Sequence, residues 1–222
     1  METTKKKMKI VIAEDNQMVR EGLCSLLNQQ PDMQVVGEAG DGDGAVRLVS
    51  ELSPDVVILE VAMPNLNGIE ATRQIQAANG KTKVIALTMH AERPIVAKML
   101  RVGATGYLLK DCAFEDLVAA VRAVTANHAY LSAEVTYLII EHYVRNSTYH
   151  EQSALDTLTP REREVLQLVT EGHPTKKIAN RLNLSTKTIE FHRHSMMKKL
   201  DIHSVAELTK YAVREGITNL DG

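Results

Sequence analysis

Cysteine and long apolar runs are both scarce in this chain of 222 residues, and each scarcity removes a class of protein. The two cysteines, Cys24 and Cys112, supply neither a disulfide framework nor the spacing of a zinc site. No apolar run approaches the ~20 residues that cross a bilayer, so no membrane partner is expected. The basic start, Met1 to Lys7, leads only into Met8–Ala13, too short for the apolar region of a signal peptide. A cytoplasmic protein is the expectation. What is present is a composition of 44% hydrophobic and 24% charged residues, which supports a buried core rather than global disorder. The length allows one large domain or two small ones.

A net charge of only -2 hides an asymmetry. Residues 1–154 hold 15 Lys and Arg against 19 Asp and Glu, whereas residues 155–222 hold 11 against 9. Between His173 and Lys199 stand seven basic residues and one acid, Glu190. Such a concentration inside a near-neutral chain is the footprint of a polyanion-binding element, although a solvated helical face has the same composition.

The first 125 residues alternate short apolar runs with longer stretches of helical periodicity. The runs are Lys9–Ala13, Gln34–Ala39, Asp55–Leu59, Lys83–Thr88 and Gly106–Leu109, four of them almost continuously apolar, as strands covered on both faces must be. Five strand–helix repeats predict an α/β fold, a (βα)5 doubly wound parallel sheet with strand order 2-1-3-4-5. This domain is placed at residues 7–128. Residues 129–154 read as a linker helix (Ser132–Asn146) and a polar linker (Ser147–Asp156). Residues 155–220 show no strand pattern and predict a small all-α domain of four helices. Thr159-Pro160-Arg161-Glu162 opens the first with a cap, a proline in the first turn and a capping-box glutamate. The middle pair, joined through Asn183-Leu184, has helix-turn-helix spacing.

In a doubly wound sheet, ligands collect beyond the carboxyl ends of the strands near the switch point. Those ends carry Glu14 and Asp15, Glu60, Thr88 and Lys110. Carboxylates from Asp15, Glu60 and Glu14 suit a hard cation such as Mg²⁺ completed by waters. Lys110 and Thr88 are groups that would meet a phosphoryl oxygen.

These blocks resemble the receiver domain of two-component response regulators. The resemblance rests on Glu14-Asp15, VVILEVAMPNLNGIEA (Val56–Ala71), LTMH (Leu87–His90) and GATGYLLKD (Gly103–Asp111). LTPREREVL (Leu158–Leu166) and IANRLNLSTKTIEFHRHSMMKKL (Ile178–Leu200) are similar to the LuxR-type helix-turn-helix, and the order matches the NarL/FixJ subfamily. The resemblance implies a phosphorelay transcription regulator with Mg²⁺ in the pocket, a sensor histidine kinase as partner, Thr88 and Tyr107 as switch residues, and no enzyme activity beyond the receiver's own phosphorylation chemistry. It also implies a homodimer through the last helix, Ser204–Arg214.

One departure stands out. Glu60 occupies the position of the family's phosphoacceptor aspartate. The extra methylene advances the carboxylate by about 1.3–1.5 Å, beyond the ~0.5 Å tolerance of a preorganised site. Three readings stand side by side: a receiver that works without aspartyl phosphorylation, an introduced aspartate-to-glutamate exchange, or a site that takes phosphate poorly. A carboxylate reaching Thr88 and Lys110 would partly mimic a phosphoryl group, with about one charge in place of nearly two.

The helix Thr186–Leu200 is capped by Ser185, and that N-terminus with its free N–H groups is assigned to a DNA phosphate. Along it the spacing turns Ile189, Met196 and Leu200 inward. Lys176, Lys177, Lys187, Arg193, Lys198 and Lys199 are assigned to phosphates of double-stranded DNA. Thr188 and His192 are assigned to base edges, with Ile189 also a candidate for a thymine methyl. The competing reading is a protein-interaction adaptor that uses the receiver surface. The basic concentration disfavours it.

Overall fold

The structure is a computed structural model and describes residues 7–78, 80–145 and 154–218. Its first domain is one parallel sheet of β1 (Met8–Ala13), β2 (Met33–Ala39), β3 (Val56–Leu59), β4 (Lys83–Thr88), β5 (Gly106–Leu109) and β6 (Tyr130–Leu131). The strands lie in the order β2-β1-β3-β4-β5-β6, so the predicted 2-1-3-4-5 arrangement is present with one short strand added at the edge. Every pairing is parallel, and β6 pairs Tyr130 with Gly106 and Leu131 with Tyr107.

Alternate residues of the central strands feed two separate cores, as the two-residue period of a strand requires. Val11, Val57, Leu59, Val84 and Ala86 pack under α2 (Gly42–Leu52), α3 (Gly68–Ala78) and α4 (Arg93–Arg101). Ile10, Ile12, Val56, Ile58 and Ile85 pack on the other face with α1 (Gln17–Asn28) and α5 (Phe114–Thr125). Asn16 caps α1 by accepting from Met18 N–H, and Asp41 caps α2 by accepting from Gly44 N–H at 2.8 Å.

The segment read as a linker helix belongs to this first body. Its helix α6 (Ala133–Arg145) inserts Val135, fully buried, into the same core as Ile95 and Met99 of α4. The domain edge expected at residue 128 therefore cuts through packed structure. Of the polar linker read at Ser147–Asp156, residues 147–153 lie outside the described residues.

A 3-10 turn (Ala154–Thr157) leads into α7 (Pro160–Thr170), α8 (Thr175–Arg181), α9 (Thr186–Leu200) and α10 (Val205–Arg214). They enclose their own core, with Val165, Leu166, Ile178, Ile189, Met196, Leu208 and Ala212 at its centre. The capping box forms as its sequence demands. Glu162 N–H donates to Thr159 Oγ1 at 3.2 Å, and Thr159 N–H donates to Glu162 Oε2 at 2.8 Å. Asn183 takes the left-handed conformation (φ 52°) that turns α8 into α9, a conformation asparagine tolerates better than most residues.

Candidate functional site

The carboxyl ends of β1, β3, β4 and β5 bring Glu14, Glu60, Thr88 and Lys110 together. Glu14 and Glu60 directly follow β1 and β3, and all but Lys110 are buried. The Lys110 ammonium lies between the two carboxylates, 2.8 Å from Glu14 Oε2 and 2.7 Å from Glu60 Oε2. Glu60 Oε1 accepts from Thr88 Oγ1 at 2.5 Å, from Val61 N–H at 2.5 Å and from Ala62 N–H at 3.1 Å. The longer side chain has reached the hydroxyl, the ammonium and two backbone donors at once. Burial raises the Glu14 carboxyl above its ordinary pKa, and Lys110 only partly offsets it. Burial works against the Lys110 ammonium, but its bonds to Glu14 and Glu60 win and hold its pKa above the usual lysine value.

The backbone beside Glu60 is tightly built. A Cβ on Gly68 would lie 2.3 Å from the Glu60 carbonyl oxygen, so only glycine lets α3 begin so close to the end of β3. Behind the pocket Tyr107 is fully buried, with its hydroxyl donating to the His90 carbonyl at 2.7 Å. Burial pushes its phenol up, and the charges of Glu60 and Glu92 push in the same direction.

Two of the expected features are placed differently here. Asp15 does not join the pocket; it is exposed and accepts from Asn16 N–H at 3.1 Å. Among the described residues no group of three His, Cys, Asp or Glu converges to hold a metal. The space between Glu14 and Glu60, where Mg²⁺ was expected, holds the Lys110 ammonium, one positive charge shared by two carboxylates. The donor set as it stands does not fit a divalent ion.

The second candidate surface is α9 with its approaches. Ser185 caps it, accepting from Thr188 N–H at 3.0 Å. Lys176, Lys177, Lys187 and Lys198 are exposed, and Thr188, His192 and Arg193 are half-buried. Arg193 is tied to Glu190 and to Thr175, whose hydroxyl also donates to Glu190 at 2.8 Å. Ile189 is fully buried in the helical core, so it has no path to a thymine methyl; it anchors the helix instead. Phe191 was not singled out by its sequence context, yet it is 69% exposed on the face shared with Lys187 and His194, with its ring edge-on to His192. An aromatic left in water beside a basic face was the available signal.

Lys199 also departs from a simple phosphate role. It donates to Glu162 Oε2 at 2.6 Å while Ser195 donates to Glu162 Oε1 at 2.6 Å, so it fastens α9 to the start of α7. Burial alone would raise the Glu162 carboxyl, but Lys199, Ser195 and Thr159 outweigh it and hold it at about 2. A carboxyl depressed in the folded state stabilises the fold above its unfolded pKa of about 4.5, and that contribution is lost as pH falls toward 2. Glu162→Gln is therefore expected to destabilise the helical domain by about 2–3 kcal/mol at pH 7 and much less at pH 2–3. Urea unfolding of the two proteins across that range measures the difference. An equal loss at both ends would assign the effect to packing alone.

Comparison with known proteins covers both surfaces. Residues 10–122 match the family described as the response regulator receiver domain. Residues 156–212 match the family described as bacterial regulatory proteins of the luxR family. The chain is 34% identical over 212 residues to response regulator UvrY of Escherichia coli strain K12, covering 96% of each chain. It is 39% identical to oxygen regulatory protein NreC of Staphylococcus haemolyticus, covering 94% of this chain and 98% of that one. Among solved structures it is similar to RcsB of Salmonella enterica serovar Typhimurium bound to the rprA promoter in the presence of phosphomimetic BeF3−. That likeness has a TM-score of 0.59 at 29% identity, over 93% of this chain and 98% of the other.

Proposed function

The chain belongs to the LuxR-type response regulators, two-component transcription regulators that bind DNA, and on that premise we propose that Glu60 holds its receiver in one phosphate-independent state. The observation that supports this reading is the set of bonds around Glu60. Its carboxylate is already bonded to Thr88, Lys110 and two backbone N–H groups, the donors that a phosphoryl group on a shorter acceptor would draw on. The buried Tyr107, with its hydroxyl on the His90 carbonyl, is the inward rotamer of the second switch residue on this reading.

Receivers of the family typically bind Mg²⁺. In this chain Lys110 does the neutralising work at the pocket, with Glu14 and Glu60 as its counterions. The family is one of transcription regulators and not of classical enzymes, and among the described residues no helix is long and apolar enough to cross a membrane. The partners are double-stranded DNA and a second copy of the chain, with a sensor histidine kinase contributing little through a blocked acceptor.

The fixed state is DNA-competent. With the receiver in place, Thr186, Lys187, Glu190, Phe191, His194 and Lys198 of α9 remain exposed. Lys176, Lys177, Lys187 and Lys198 supply phosphate contacts, and Thr188, His192 and Phe191 face the bases. The test selects duplexes from a random pool with the intact chain and with residues 154–222, whose core is self-contained, across a salt series. Both are expected to enrich the same sequence with a steep salt dependence, the intact chain binding at least as tightly. An intact chain bound about tenfold more weakly, ~1.4 kcal/mol, would show that the receiver masks the helix and would sink the proposal.

A further inference from the structure

Several hydrogen bonds join the two domains, and one buried side chain makes three of them. Gln167 of α7 is 1% exposed. Its Nε2 donates to the Met63 carbonyl at 3.0 Å, and its Oε1 accepts from the Asn67 backbone N–H at 2.8 Å and from Asn67 Nδ2 at 3.0 Å. Met63 and Asn67 both lie in the loop between β3 and α3. The same loop starts at Val61 and Ala62, whose N–H groups are held by Glu60.

The loop is braced across its width, because Gly68 N–H donates to the Val61 carbonyl at 2.7 Å and Leu66 N–H to the Pro64 carbonyl at 2.8 Å. A shift at Val61 therefore displaces Asn67 rather than dissipating in slack. On the helical side, Gln167 is steadied by Glu171, which accepts from its Nε2 at 2.8 Å and from Asn65 N–H at 3.2 Å. Nearby, Arg163 donates to Glu70 at 2.8 Å. Arg181 pairs with Asp43 and Lys98 with Glu215 farther out, but those pairs touch α2 and α4 and not the loop.

We infer that Gln167 is the positioning residue through which Glu60 acts on the DNA-binding domain: the carboxylate sets one end of the loop and the buried amide reads the other. The amide is suited to this because it must donate and accept at once, so it fits only one loop shape. A buried donor or acceptor left without its partner is penalised, which makes the contact sensitive to small displacements. This inference rests on the proposed reading of Glu60.

The test is a double-mutant cycle on the intact chain, read as affinity for the duplex enriched in the selection above. Glu60→Ala is expected to weaken binding at least about fivefold in the otherwise native chain, because α9 is no longer held in register with its receiver. In a Gln167→Leu chain the same exchange is expected to change nothing further. Gln167→Glu keeps the size and the acceptor but loses the Nε2 donor that Met63 and Glu171 share. It is expected to abolish the coupling as Gln167→Leu does. Equal effects of Glu60→Ala in all three backgrounds would overturn the inference and leave the Glu60 reading intact. No effect of Glu60→Ala in any background would overturn both.

Discussion

Exchanging Glu60 for aspartate is expected to raise the rate at which a small acyl phosphate phosphorylates the receiver by about 100-fold, measured in Mg²⁺-containing buffer by intact mass. The present acceptor is its own inhibitor. Its Oε1 uses the Thr88 hydroxyl and the amides of Val61 and Ala62, and its Oε2 uses Lys110. These four donors, which could stabilise charge on an incoming phosphoryl oxygen, are thereby engaged. A carboxylate shorter by one methylene withdraws about 1.5 Å and releases Thr88 and Lys110 into the pocket. The tight approach of Gly68 to the Glu60 carbonyl holds the backbone at residue 60 in place. Equal rates for the two proteins would mean that these donors are not the obstacle.

Lys110→Met is expected to have the largest effect on stability, a loss of about 3–5 kcal/mol at neutral pH in urea unfolding. Glu14 is 2% and Glu60 5% exposed, so removing the ammonium leaves two neighbouring carboxylates without a counterion in a buried site. The sign of the pH dependence follows from linkage. The Lys110 pKa is raised in the folded state, so its contribution is fully present below its unfolded value near 10.5 and is lost as pH rises through the folded one. Glu14 already has a raised pKa, and without Lys110 that rise grows. A carboxyl raised on folding costs stability above its folded pKa, and the cost disappears as pH falls through it. The gap between native and variant should therefore narrow as pH falls below neutral. A gap constant with pH would mean that methionine fails there for reasons of shape.

The sheet was legible because its information is local. Apolar runs such as Lys9–Ala13 and Lys83–Thr88 carry their own evidence of double burial, and crossover handedness then dictates their order. β6 was not legible. Two residues, Tyr130 and Leu131, have no period of their own, and only the free edge of β5 makes them a strand. The strand-end residues were found because topology places them, but topology does not say what a lysine will do. Lys110 could neutralise a ligand or its neighbours, and the reach of Glu60 decided for the neighbours.

The same limit applies to α9. Ile189 and Phe191 are both apolar and about 200° apart on a helix of 3.6 residues per turn, so only one can face the core. The packing of α9 against the rest of the helical domain chose Ile189. The contact between domains left no mark in the sequence, because glutamine, asparagine and a backbone carbonyl have no periodicity. Gln167 looks like any polar position on a helix until Met63 and Asn67 are beside it.

The bonds that Glu60 makes also have a bearing on time. An acyl phosphate hydrolyses, so an output carried by one decays at a rate that the receiver itself controls. A γ-carboxylate held by Thr88 and Lys110 has no leaving group and no half-life of its own. On the proposed reading, the duration of the signal is the lifetime of the polypeptide, and its strength is the number of copies. Regulation of such a protein moves from covalent chemistry to synthesis and degradation, and the response is as fast as the chain can be made or removed.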